Sequence, residues 1–309
     1  MSILEKNDLF RFLFIILLTV LACTKVTLQG KVSRRYIRTT QDSVLYNVLF
    51  FTAISASLAI LFPLAAPTCD VLLLALLSGI CNATFQITYS VALNEGPVSL
   101  TVLMASFSIL LPTSLSVFLF RENLYYTQFV GVLLLGASMV LNVGHGKNEK
   151  KVSAKWLILS VAATLCSGFS SCIQKLFYFT DGSKVENSAN TYLFFVYVFS
   201  SVLGFAMYLY ESHFDKKERS TFWFNKYVLF YAIGIGAVLA VFQKLYMLGI
   251  EHIPGTVMFP TYAGMQSLAM TVIGIVLFKD HLSARQKIGV LCGVASVALI
   301  NLKIGGYLL

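Results

Sequence analysis

Ten runs of about 20 mainly apolar residues alternate with short polar stretches along this chain, each run long enough to cross the ~30 Å hydrocarbon core of a bilayer as a helix. Their limits fall near 9–29, 43–62, 70–93, 97–120, 124–143, 154–178, 190–210, 227–250, 254–278 and 283–303. The pattern predicts an all-α membrane protein of ten transmembrane helices. No soluble domain is expected, because the longest polar stretch between runs, Glu211 to Lys226, is too short to fold by itself. The first run lacks a small-x-small cleavage site and is followed by further spans, so it is read as a retained helix. Two connections are very tight, Asn94-Glu95-Gly96-Pro97 and Glu251-His252-Ile253-Pro254, each ending in a proline that loses no hydrogen bond at a helix's first turn.

The second half of the pattern repeats the first. A shift of 157 places Phe85, Gln86, Tyr89 and Pro97 on Phe242, Gln243, Tyr246 and Pro254. After one inserted residue, Phe120, Arg121, Glu122, Leu124, Gln128 and Gly131 fall on Phe278, Lys279, Asp280, Leu282, Gln286 and Gly289. Five predicted helices lie in each half, an odd number, so the second copy enters the membrane upside down relative to the first. The polar segment 144–151 is the expected joint, giving two inverted five-helix repeats, 1–146 and 147–309, within one integral membrane unit. Inverted halves of this kind rock about a central site in secondary carriers.

Composition fits lipid: 57% of residues are hydrophobic and 12% charged, too little polar surface to coat a soluble globule of 309 residues. The net charge of +9 would suggest nucleic acid in a soluble protein, but here the basic residues crowd into short loops, where they set orientation and meet anionic headgroups. No nucleic-acid partner is expected. The six cysteines form no C-x-x-C pair, and the four histidines lie near run ends or in loops, so neither a metal site nor a cofactor is expected. H-E-x-x-H and G-x-x-x-x-G-K-[ST] are both lacking, and no catalytic residue is expected.

Polar residues inside the apolar runs carry the candidate chemistry. Ser78, Asn82, Gln86 and Tyr89 follow one another at spacings of four, four and three and share one helical face. Such a stripe faces either a wet cavity or the polar atoms of another helix. The recurrence of Gln86 and Tyr89 as Gln243 and Tyr246 favours the cavity, while Leu239 standing where Asn82 stands makes the two halves chemically unequal. Lys25, Lys175 and Lys244 lie within or near the ends of runs, where a lysine either serves function or snorkels to the interface. Pro112 and Pro260 can kink their helices beside a cavity, and Thr261, Tyr262 and Gln266 continue a polar face. Gly289 and Gly293 form a G-x-x-x-G in the tenth helix, which serves either packing inside the monomer or a homodimer face.

These stretches, above all Ala92-Leu93-Asn94-Glu95-Gly96-Pro97-Val98-Ser99 and Phe120-Arg121-Glu122-Asn123-Leu124 with their second-half partners, resemble the drug/metabolite transporter superfamily, in its ten-helix EamA-like branch. The resemblance covers almost the whole chain. It implies a central cavity lined by helices 1, 3, 4, 6, 8 and 9, with helices 5 and 10 peripheral. It also implies alternating access without ATP hydrolysis, in a protein of a bacterial cytoplasmic membrane. In the superfamily's small four-helix multidrug members, export of cations depends on a carboxylate in the first helix, where this chain has Lys25. A secondary transporter of an anionic or zwitterionic small metabolite, such as an amino acid or organic acid, is therefore expected. Nucleotide-sugar or drug transport, or a non-transporting scaffold or receptor, are the alternatives. The expected site is lined by Asn82, Gln86, Tyr89, Gln243, Tyr246, Tyr262 and Gln266 with Lys25 and Lys175.

One departure concerns charge. Members usually carry a strongly basic loop between helices 2 and 3, whereas this chain places Lys31, Arg34, Arg35 and Arg38 after helix 1. With Lys147, Lys150, Lys151, Lys216, Lys217 and Arg219 on the same side, the positive-inside rule sets the termini outside the cytoplasm; the resemblance implies termini inside.

Overall fold

The structure is a computed structural model describing residues 8–36, 40–95, 98–142, 153–214, 226–278 and 283–302. Ten helices account for nearly all of these residues: α1 Asp8–Tyr36, α2 Thr40–Leu61, α3 Cys69–Glu95, α4 in two pieces, α5 Tyr126–Asn142, α6 Ala154–Phe177, α7 Ser188–Phe214, α8 Lys226–His252, α9 Gly255–Phe278 and α10 Ala284–Asn301. The described residues contain no strand. Among the described residues, six helices (α1, α2, α3, α6, α7 and α8) are long and apolar enough to cross a membrane. Their outward positions are apolar, as at Leu73, Ile80 and Phe230, all exposed.

Local chemistry explains where the helices start and break. Ser283 caps α10 by accepting from Gln286 N while its own backbone N–H donates to Gln286 Oε1 at 3.0 Å, a reciprocal capping box. Gln128 makes the same backward bond at α5, its Oε1 accepting from Tyr125 N at 3.1 Å. The repeated glutamines 128 and 286 are thus helix caps in both copies. The pieces of α4, Val98–Ser106 and Leu110–Phe118, are joined by the 3-10 turn Phe107–Ile109. Pro112 is the cause: it offers no N–H to the carbonyl of Ser108 and its ring crowds that carbonyl, so the turn before it tightens.

The helix limits depart from the sequence expectation mainly at α1, which runs on to Tyr36 instead of stopping near 29. Lys31, Arg34 and Arg35 consequently lie on its last turns and not in a loop. α7 likewise continues through Phe214 into the stretch expected to be polar loop. The 144–151 joint, the 96–97 step of the first tight connection, Arg38, Lys216, Lys217, Arg219 and the Lys279–Asp280 pair lie outside the described residues.

Two compact units form, each drawing on both halves of the sequence. The first combines Met1–Cys23, Ala92–Gly168 and Leu248–Leu309. Its main packing is α5 on α10, where a Cβ at Gly131 would sit 2.7 Å from Ile300 Cγ1 and 3.0 Å from Ile300 N. Ser138 Oγ donates to the carbonyl of Gly289 at 2.7 Å, and Gly293 lies against Ser138 and Leu268. The small-residue face of α10 is therefore covered within the chain, by α5 and α9, and the outward face of α10 carries Ile288, Leu291 and Val294. Glu122 Oε2 accepts from Thr256 N at 3.0 Å, a carboxylate at the start of α9.

The second unit combines Thr24–Val91 and Phe169–Met247. Its axis is α7, packed on α2 through Thr52 and Ser201 (2.7 Å between hydroxyls) and on α3 through Gly79, whose missing side chain lets Phe199 approach. The loops 62–68 and 178–187 are stitched together beside it. Asp70 accepts from Gly182 N at 2.8 Å and from Thr68, Asn190 Nδ2 donates to Pro63 O at 2.9 Å, and Ala65 N donates to Thr191 Oγ1 at 2.8 Å.

Candidate functional site

Seven of the nine expected site residues, Lys25, Asn82, Gln86, Tyr89, Lys175, Gln243 and Tyr246, belong to the second unit. Tyr262 and Gln266 lie on α9 in the first unit, half-buried, four residues apart and hence on neighbouring turns of one face.

On α3 the polar stripe divides by height. Val71, Ala75, Ser78 and Gly79 define a buried inner face, opposite the exposed Leu73, Leu77 and Ile80. At this level the stripe is glue between helices: Ser78 Oγ lies 3.3 Å from Ser170 Oγ, and Asn82 Nδ2 donates to Ser200 Oγ at 3.1 Å. Helical periodicity carries the same face on to Phe85, Gln86 and Tyr89. From Thr84 to Val91, however, no position is buried, inward or outward. Among the described residues the Gln86 amide and the Tyr89 hydroxyl make no hydrogen bond, while the Phe85 and Tyr89 rings stack at 5.4 Å between centroids and 28° between planes. A buried amide left unmade would cost about 1–3 kcal/mol. A half-buried one costs less, and between Thr84 and Val91 the inner face of α3 is less closely covered than at Ser78.

The second copy of the motif, on α8, has the same ring geometry, with its two rings more deeply buried and its glutamine half-buried like Gln86. Phe242 and Tyr246 stack at 5.6 Å and 23°, but are only 8% and 7% exposed. Gln243 Nε2 donates to Tyr197 Oη, and Tyr246 hydrogen-bonds with Ser171. The F-Q-x-x-Y repeat is thus a stacked ring pair with an amide beside it, the amide on α8 hydrogen-bonded to Tyr197 and the one on α3 without a partner among the described residues.

The lysines differ as well. The side chain of Lys25 is half-buried, its Nζ 5.8 Å from the centroid of the Phe50 ring, a cation–π distance, and no carboxylate pairs with it among the described residues. Lys175 is 4% exposed and so held inside the protein near the end of α6. Lys244 is half-buried.

Several contributors escaped the sequence reading. Tyr197 (3% exposed) and Ser200 (0%) are the α7 groups that receive the Gln243 and Asn82 amides, and Tyr46 and Phe50 stack at 6.1 Å beneath Lys25. The signal that found the α3 stripe also exists here, since Tyr197 and Ser200 recur three residues apart within an apolar helix. Asp42, buried in the first turn of α2, was also passed over. No group of three or more His, Cys, Asp or Glu side chains suited to a metal ion occurs among the described residues.

No known family profile matches this chain. Its sequence is 35% identical over 66 residues to "Multidrug resistance protein EbrA" of Bacillus atrophaeus, and equally to the protein of that name from Bacillus subtilis (strain 168). The match takes in 21% of this chain and 63% of each relative, under two thirds of their length. A solved structure known only as "Crystal structure of protein" superposes with a TM-score of 0.69 over 96% of both chains at 18% identity, a likeness of fold.

Proposed function

We propose that this chain is a secondary transporter of small organic solutes in a bacterial cytoplasmic membrane, of the EamA-like drug/metabolite transporter type, working by alternating access between two inverted repeats. The observation that carries the reading is the inner face of α3, closed by hydrogen bonds at Ser78 and Asn82 and open at Gln86 and Tyr89 with an uncommitted amide and hydroxyl. A scaffold gains nothing from leaving polar groups unpaired on the inner face of an apolar helix, whereas a carrier needs groups whose hydrogen bonds are kept for its cargo. The likeness to multidrug resistance proteins supports transport in general and favours drug-like solutes as the second reading. In the first reading, Lys25 selects anionic or zwitterionic metabolites. Within the second unit Gln86 and Tyr89 supply polar contacts, with Asn82, Lys175, Gln243 and Tyr246 behind them; Tyr262 and Gln266 are the candidate contacts of the first unit.

Lys25 provides the test. In proteoliposomes, Lys25→Met is expected to weaken uptake of an anionic solute about tenfold more than that of its neutral analogue, as ~1.4 kcal/mol from a partly desolvated charge requires. Equal effects on both would assign Lys25 to the interface, and preferential uptake of cations by the unaltered protein would favour the multidrug reading.

A further inference from the structure

The two copies of F-Q-x-x-Y differ in one decisive respect: the α8 copy already has an occupant. Gln243 presents its amide to a phenol, the hydroxyl of Tyr197, which is itself almost wholly buried and tilted against Phe51 at 6.1 Å. The α3 copy presents the same amide position, one residue after the first ring of a stacked pair, and nothing among the described residues hydrogen-bonds to it. Phe85, Gln86 and Tyr89 fall on the inner face by helical period, so the rings and the amide lie on one side of α3.

We infer that Phe85, Gln86 and Tyr89 form a seat for a flat aromatic ring that carries a hydrogen-bonding group at its edge, as a phenol does. The inference narrows the solute class of the transporter proposed above and rests on that reading for its setting. A ring entering the seat extends the Phe85–Tyr89 stack, where offset or edge-on contact of π faces adds to simple burial. Its edge hydroxyl accepts a hydrogen bond from the Gln86 amide, as the Tyr197 hydroxyl does from Gln243 Nε2, and the Tyr89 hydroxyl remains available to a second polar atom. A site built to hydrogen-bond a hydroxyl rejects the analogue without it, because the amide is then covered and unpaired. A saturated ring of the same size loses the stacking contribution as well.

Three carboxylates of one shape separate these contributions: 4-hydroxyphenylacetate, phenylacetate and cyclohexylacetate, titrated calorimetrically into the purified full-length protein and repeated with the corresponding neutral alcohols. The affinity order is expected to follow that sequence in both series, with about a tenfold fall from first to last. Gln86→Leu should erase the difference between hydroxyphenyl and phenyl while keeping that between phenyl and cyclohexyl; Gln86→Asn should restore part of the first. Phe85→Leu combined with Tyr89→Leu should erase the second. Because each ratio is taken within one preparation, loss of folded protein lowers the stoichiometry and leaves the ratio unchanged. Equal binding of all three compounds, or ratios that survive these substitutions, overturns the inference. If none of the three binds while proteoliposomes take up an aliphatic solute, the ring seat fails and the transporter reading stands; ring binding without any uptake sustains the seat and removes the transporter reading. Neither binding nor uptake removes both.

Discussion

At the scale of single residues, Gln86 and Gln243 share a sequence motif and a register but have opposite roles in stability. Gln243 satisfies the buried hydroxyl of Tyr197, so Gln243→Leu should strand that hydroxyl and cost about 1–3 kcal/mol, visible as a fall of several degrees in melting temperature. An unchanged melting temperature would mean that water reaches Tyr197 and that the α8 copy is open. Gln86 has no such partner among the described residues, and its replacement should leave stability nearly intact. The sequence made the polar face of α3 legible because a helix puts residues three and four apart on one side. What covers each level of that face was illegible, because it depends on Ser170 and Ser200, about 90 and 120 residues further along.

At the scale of elements, the apolar runs located the ten helices of the described residues, six of them long and apolar enough to cross a membrane. The extension of α1 to Tyr36 was missed because its last turns are polar and basic, and hydropathy ends where helical hydrogen bonding does not. The break in α4 was half legible, since Pro112 predicts a disturbance one turn earlier without fixing its form as a 3-10 turn. Packing between α5 and α10 depends on glycine for contact, at Gly131 above all. Gly131→Ala would force its Cβ to within 2.7 Å of Ile300 Cγ1 and 3.0 Å of backbone, and should destabilise the protein by about 1–3 kcal/mol. Gly136→Ala, whose nearest neighbour is the Phe107 ring at 3.8 Å, is the control and should be nearly neutral. Equal melting temperatures for the two variants would contradict the close approach of α5 and α10.

At the scale of the whole molecule, two inverted repeats were inferred from matched residues. The structure adds that compact units are not the sequence halves, because each takes helices from both. Exchange of segments between halves is invisible to a repeat search, which compares residues and not contacts. Orientation follows from charge: the basic residues on the last turns of α1 and in the segments after α5 and α7 should face the cytoplasm, leaving both termini outside. A C-terminal fluorescent reporter that matures only in the cytoplasm should therefore stay dark in intact cells. Strong fluorescence would reverse the orientation and leave the helix assignments untouched.

The central claim is that the open face of α3 is where a transported solute is held. Its most direct measurement is uptake of a labelled metabolite pool into proteoliposomes by the unaltered protein and by Gln86→Leu, at matched incorporation and melting temperature. The account predicts uptake above empty vesicles for the first and a loss of about tenfold for the second, the scale of one lost hydrogen bond to a desolvated group. Uptake by Gln86→Leu at the unaltered rate would contradict it, and would return the whole α3 stripe to the role of glue between helices.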